Sequence, residues 1–73
     1  MIERNGVIDR IGVNGAKVIF TLLGESFAYT VYEKNDLLCL SEKGDSVRFE
    51  CDDFLTVTPC SFQNNSLDSI RNL

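Results

Sequence analysis

Val7-Ile8-Asp9-Arg10-Ile11-Gly12-Val13-Asn14-Gly15-Ala16-Lys17-Val18-Ile19-Phe20-Thr21-Leu22 is the stretch that decides the fold. Both arms are rich in β-branched residues, which suit a pleated strand. Between them sits Asn14-Gly15. Asn and Gly tolerate the positive φ of a tight hairpin, so the dipeptide predicts a type I′ turn. The first two strands are thus expected to be antiparallel neighbours. Gly12 interrupts the first arm and predicts a bulge or bend. Along residues 16–22, Val18, Phe20 and Leu22 share one face, and Lys17, Ile19, Thr21 and Leu23 the other. Apolar groups on both faces predict a central strand.

Outward from this hairpin, Leu23-Gly24-Glu25-Ser26 makes a second turn. A third strand follows over residues 27–32, with Phe27, Tyr29 and Val31 inward. The chain then breaks at Glu33-Lys34-Asn35-Asp36, where Asn35 or Asp36 can cap a helix. A short helix is expected over residues 36–42, with Gly44 at its C′ position. Residues 45–51 alternate cleanly, with Val47, Phe49 and Cys51 inward, and give a fourth strand. Asp52-Asp53 reads as a turn. Residues 54–58 give a fifth strand, with Leu55 and Val57 inward, ended by Pro59.

The division into domains follows: residues 1–59 as a small β domain, then residues 60–73 as a tail. Ser61, Gln63, Asn64, Asn65 and Ser66 read as a polar link. Leu67, Ile70 and Leu73 then recur at helical spacing and predict a short amphipathic helix. So brief a helix needs something to dock on.

The order strand, strand, strand, helix, strand, strand is that of a five-stranded, partly open barrel. Four features carry a resemblance to the OB fold: the Gly6-Val7-Ile8 opening, the Asn14-Gly15 hairpin, the Leu37-Leu38-Cys39-Leu40 plug, and Lys43-Gly44-Asp45-Ser46-Val47-Arg48-Phe49 entering the fourth strand. That last segment looks like its counterpart in many small OB-type barrels, including cold-shock domains and bacterial copper carriers. The resemblance spans residues 6–59 and lies at the level of the fold. An SH3-like barrel is the rival architecture.

Composition bounds the function. The 73 residues are 44% hydrophobic and 25% charged, with a mean hydropathy of −0.02. These proportions suit one globular domain and not a disordered chain. Seven Lys and Arg stand against eleven Asp and Glu, a net charge of −4. A polyanion is repelled at long range unless the fold gathers the basic residues. The absence of His removes Ser-His-Asp and Cys-His catalysis. It also removes the His and Met chemistry that the copper carriers use, since Met1 is the only methionine. An enzyme is not expected, nor a cofactor. Cys39, Cys51 and Cys60 lack the C-x-x-C spacing of a metal knuckle, and no calcium-loop spacing is present. Buried thiols are the plain reading, with Cys60 the candidate reactive or intermolecular thiol because it lies past the last strand. Residues 1–6 contain no apolar signal-peptide core, and the apolar runs are too short to span a bilayer. A cytoplasmic protein with no membrane partner is expected.

Two binding functions remain. The first is protein–protein contact, as an accessory subunit or homodimer, through Phe54, Phe62, Leu67, Ile70 and Leu73 at strand and tail ends. The second, which the OB resemblance implies, is single-stranded nucleic acid bound by stacking and cations on strands two and three. Its candidate residues are Tyr29, Tyr32, Lys17, Arg10 and Arg48. If Tyr29 faces inward, Tyr32 is the outward aromatic; in the opposite register, Tyr29 emerges.

Overall fold

The computed structural model of the chain describes residues 1–33 and 41–66. Its strands are β1 (Ile2–Asn14), β2 (Lys17–Leu22), β3 (Ala28–Val31), β4 (Ser46–Cys51) and β5 (Gln63–Asn64). They form one antiparallel sheet in the order β3-β2-β1-β4-β5. The protein is mainly β, as expected, and β2 is a central strand.

β1 serves two partners. Residues 2–7 pair with β4, and residues 8–14 pair with β2. The change of partner comes at a bulge between Ile8 and Arg10, so the extra residue is Asp9. Gly12 instead pairs in register with Ile19. Around the bulge, Ile8 N–H donates to Asp45 O and Gly44 N–H to Ile8 O, both at 2.9 Å. Leu23 N–H donates to Val7 O at 2.8 Å on the other side. Gly6 packs closely here: a Cβ at this position would lie 3.0 Å from Leu22 Cδ1 and push that side chain aside.

The hairpin forms with its turn one residue later than expected. Asn14 pairs with Lys17, so Gly15 and Ala16 are the central residues. Only Gly15 has positive φ, at 63°. Positive φ at the first central position alone is the type II′ pattern, also favourable between right-twisted strands. Gly44, at φ 94°, lies within a turn in which Asp45 N–H donates to Glu42 O at 3.1 Å. It does not follow a helix there: Ser41 and Glu42 are not helical. The rest of the helix expected over residues 36–42 lies outside the described residues, as does the tail helix beyond Ser66.

The core collects one face of each strand: Ile8; Val18, Phe20 and Leu22; Tyr29 and Val31; Val47, Phe49 and Cys51. Val57 and Phe62 complete it. Phe20 packs edge-on against Phe49, with ring centroids 5.1 Å apart, and Tyr29 against Phe49 at 4.8 Å. Burial of such rings supplies most of the driving force in a domain this small.

The fifth strand differs from its expectation. Residues 54–58 make only two isolated bridges, Thr56 parallel to Thr30 and Val57 antiparallel to Cys51. The bridges are well bonded: Thr30 N–H donates to Leu55 O at 3.0 Å, Val57 N–H to Thr30 O at 2.8 Å, and Thr58 N–H to Glu50 O at 2.9 Å. A ladder does not extend because Leu55 has φ 63°, which takes the backbone out of the β region. The segment thus lies between β3 and β4, although the sheet of named strands stays open.

The expected polar link is also structured. Pro59–Ser61 form a 3-10 turn, Phe62 is buried, and Gln63–Asn64 pair with Arg48 and Val47 of β4. Asn64 is fully buried and donates through Nδ2 to Ser41 Oγ at 2.8 Å and Asp45 Oδ2 at 3.0 Å. Ser46 N–H donates to Ser66 Oγ at 3.0 Å. A buried amide with partners holds this short strand where two residues of ladder would not.

Candidate functional site

Register decides which side chains share the outer surface, because opposed residues in a ladder lie on one face. Three rows run across β1, β2 and β3. Arg10 lies opposite Thr21, and Thr21 opposite Ala28. Gly12 lies opposite Ile19, and Ile19 opposite Thr30, which bridges onward to Thr56. Asn14 lies opposite Lys17, and the register continued by one residue sets Lys17 opposite Tyr32. The alternate residues, Val18, Phe20, Tyr29 and Val31, are buried beneath. The side chains of these rows therefore point away from the core.

At its paired strand positions this face holds Arg10 and Lys17, and the bulge residue Asp9 of β1 adjoins Arg10. Neither cation forms an ion pair among the described residues. Tyr32, at one end, is 64% exposed. Ile19, half-buried, lies at the centre of the face between Gly12 and Thr30, with the small side chains of Thr21 and Ala28 in the next row.

A turn borders the face on the Thr56 side. Asp52 Oδ1 accepts from Phe54 N–H at 2.8 Å and from Thr56 N–H at 3.0 Å. Leu55 N–H donates to Asp52 O at 3.2 Å, and Asp52 N–H to Thr56 O at 3.1 Å. One carboxylate thus organises the turn, in the manner of an Asx turn. Left-handed backbone at a non-glycine residue such as Leu55 costs about 1 kcal/mol or more, and persists only where its surroundings hold it. At the tip, Phe54 is 88% exposed. The parallel bridge fixes the turn's place: it lies at the end of the face where β3 begins.

Phe54, Tyr32, Lys17 and Arg10, drawn from both sequence-derived sets, therefore surround one surface. Other members of those sets lie elsewhere. Tyr29 is fully buried and offers no stacking face. Its hydroxyl donates to Glu25 Oε1 at 2.9 Å, and Glu25 Oε2 lies 3.7 Å from Arg4 Nη1. Burial, then the hydrogen bond to Glu25, pushes the Tyr29 phenol from its ordinary value near 10 up to about 12. Phe62 is likewise no exposed anchor. It packs in the core, 5.9 Å from Phe20 by ring centroids. Leu67, Ile70 and Leu73 lie outside the described residues.

Arg48 sits on a different surface, the outer side of β1, β4 and β5. It pairs there with Glu3 and lines an open recess of about 200 Å³ with Glu50, Ser61 and Gln63. Ser61 Oγ is committed to the backbone, accepting from Glu50 N–H at 2.9 Å and donating to Thr58 O at 2.6 Å. Cys51 is buried, whereas Cys60 is exposed on the 3-10 turn, against the plain reading of that thiol. Among the described residues no group of three or more His, Cys, Asp or Glu side chains could hold a metal ion. Nor, among them, is any helix long and apolar enough to cross a membrane.

The outward set on the second strand, Lys17, Ile19 and Thr21, is visible as a period of two. The role of Asp52 is not, because Asp-Asp reads equally well as any turn. Compared with known proteins, the chain matches no protein-family model, no curated protein and no solved structure.

Proposed function

We propose that this protein is a non-catalytic binding module, an OB-like barrel in which residues 55–58 join β3 to β4. It works through protein–protein contact, as an accessory or regulatory subunit. The bridges of Thr56 and Val57 support the barrel reading, since they link β3 in parallel and β4 antiparallel. The observation that carries the functional reading is Phe54, 88% exposed on a turn held by Asp52. Exposing a phenylalanine forgoes roughly 1.5–3 kcal/mol of burial. A rigid aromatic held outward is the usual form of an interface anchor, because little side-chain entropy remains to be lost on docking.

The test is to replace Phe54 with p-benzoylphenylalanine in the native host and irradiate. Discrete protein adducts, identified by mass spectrometry, support the reading. No protein adduct above background overturns it.

A second reading, single-stranded nucleic acid bound on the β1-β2-β3 face, is favoured by Lys17 opposite exposed Tyr32 and Arg10 at the other end of the face, neither cation in an ion pair among the described residues. Oligonucleotide binding would then appear at low salt, weaken as salt rises, and weaken again in Tyr32→Ala. No binding at low salt removes this reading.

A further inference from the structure

The β1-β2-β3 face and the turn beside it carry opposite charge. Arg10 and Lys17 stand at paired positions of the face, with Asp9 of the bulge beside Arg10 and no ion pair to either cation, while Asp52 and Asp53 precede Phe54 with no cation paired to them among the described residues. Their positions correspond in height. Arg10 lies on the row that ends at Ala28. The parallel pairing of Thr30 with Thr56 sets the turn at that same end. The cation is thus at one lateral edge of the face and the acidic, aromatic turn beyond the other.

We infer that this face docks against the same face of a second copy of the chain, with Arg10 of each copy meeting Asp53 and Phe54 of the other. This rests on the protein-contact reading and names the partner. A two-fold axis parallel to the strands exchanges the two edges of the face and preserves height along it. It therefore carries each Arg10 onto the other copy's acidic turn, twice over, in a contact that closes on itself. A guanidinium suits both parts of its target, since it forks onto a carboxylate and lies over an aromatic ring. Between the edges, Ile19 among the small Gly12, Thr21, Ala28 and Thr30 gives an uncharged centre that suits sheet-on-sheet packing at the ordinary distance of about 10 Å. A domain of this size also gains from the extra buried surface.

The alternatives fit the charges less well. A two-fold contact centred on Phe54 itself would bring Asp53 against its own copy. A polyanion would meet two cations on a chain of net charge −4.

The test is sedimentation equilibrium of the full chain from about 1 μM to 1 mM, a range spanning weak to moderate affinity. The wild type is expected to dimerise. Arg10→Glu and Asp53→Arg, both at exposed positions, should each weaken the dimer about tenfold or more. The double variant Arg10→Glu/Asp53→Arg should recover to within a few fold of the wild type, because the swapped charges again face each other. A wild type that stays monomeric throughout, or a double variant no tighter than either single one, overturns the inference. A monomeric chain that nevertheless gives adducts with another protein at position 54 overturns self-docking alone. A monomeric chain with no protein adducts overturns both readings.

Discussion

The two outer surfaces of this sheet are built from the same strand, β1, yet they are finished differently. On the β1-β4-β5 side the polar groups are tied to one another. Arg48 pairs with Glu3 and Ser61 bonds the backbone of β4, and beneath that surface buried Asn64 joins Ser41 and Asp45. On the β1-β2-β3 side Arg10 and Lys17 have no ion-pair partner among the described residues, and Tyr32 and Phe54 stand exposed at the margins. Bonds within a protein add to its stability, whereas groups left free remain available to something else. The difference assigns stability to the first surface and recognition to the second.

That contrast can be broken most directly at Asn64. Asn64→Ala removes the buried hydrogen bonds to Ser41 and Asp45 and should cost about 1–3 kcal/mol, measured by denaturant unfolding. An unchanged midpoint would show that the tied side contributes nothing special. Beneath the other face, the Tyr29 phenol makes a pH-dependent contribution. Its folded value is raised, so stability is level below about pH 10 and falls as pH rises from 10 towards 12. Across that window the loss due to Tyr29 should approach about 2 kcal/mol, and Tyr29→Phe should remove it. An alkaline fall of the same size in Tyr29→Phe would point to another group.

Asp52→Ala removes two side-chain hydrogen bonds to the turn and should cost about 1–2 kcal/mol. It should also loosen Phe54, read as a rise in backbone mobility by NMR relaxation confined to residues 52–56. The smallest effects distinguish the surfaces most sharply. Arg48→Ala removes an exposed ion pair and should cost no more than about 1 kcal/mol. Lys17→Ala should leave stability within about 0.5 kcal/mol. A destabilisation by Lys17→Ala larger than that of Arg48→Ala would reverse the contrast.

Much of the architecture is legible in the chain because strand periodicity is a local property. Val18, Phe20 and Leu22, and again Val47, Phe49 and Cys51, repeat every second residue and are the buried face. Where a local signal admits two outcomes, the reading misses by a residue or by an element. Asn14-Gly15 marks the hairpin, but the register with β2 moves the turn to Gly15-Ala16. Gly12 advertises a bulge, while the bend falls at Asp9, where β1 changes partners. Nothing in Asp9 alone records that exchange. Phe62 in a polar neighbourhood looks like a surface anchor; it is buried because the 3-10 turn at Pro59–Ser61 redirects the chain back over the core.

The sequence by itself determines the β character, the central place of the second strand, the inward sets of the second and fourth strands, and the exclusion of histidine chemistry. These follow from composition and from a two-residue period, neither of which needs distant contacts. Of the third strand's expected inward set, Tyr29 and Val31 are buried but Phe27, before β3 begins, is exposed. Only the tertiary structure settles the choice between the two registers left open for Tyr29 and Tyr32, in favour of the inward Tyr29 expected from the alternation. It alone brings Arg10, Lys17 and Phe54 around one face and sends Arg48 to the other. Those outcomes depend on which strands pair and in what register, and a shift of one residue would exchange every inward side chain for an outward one.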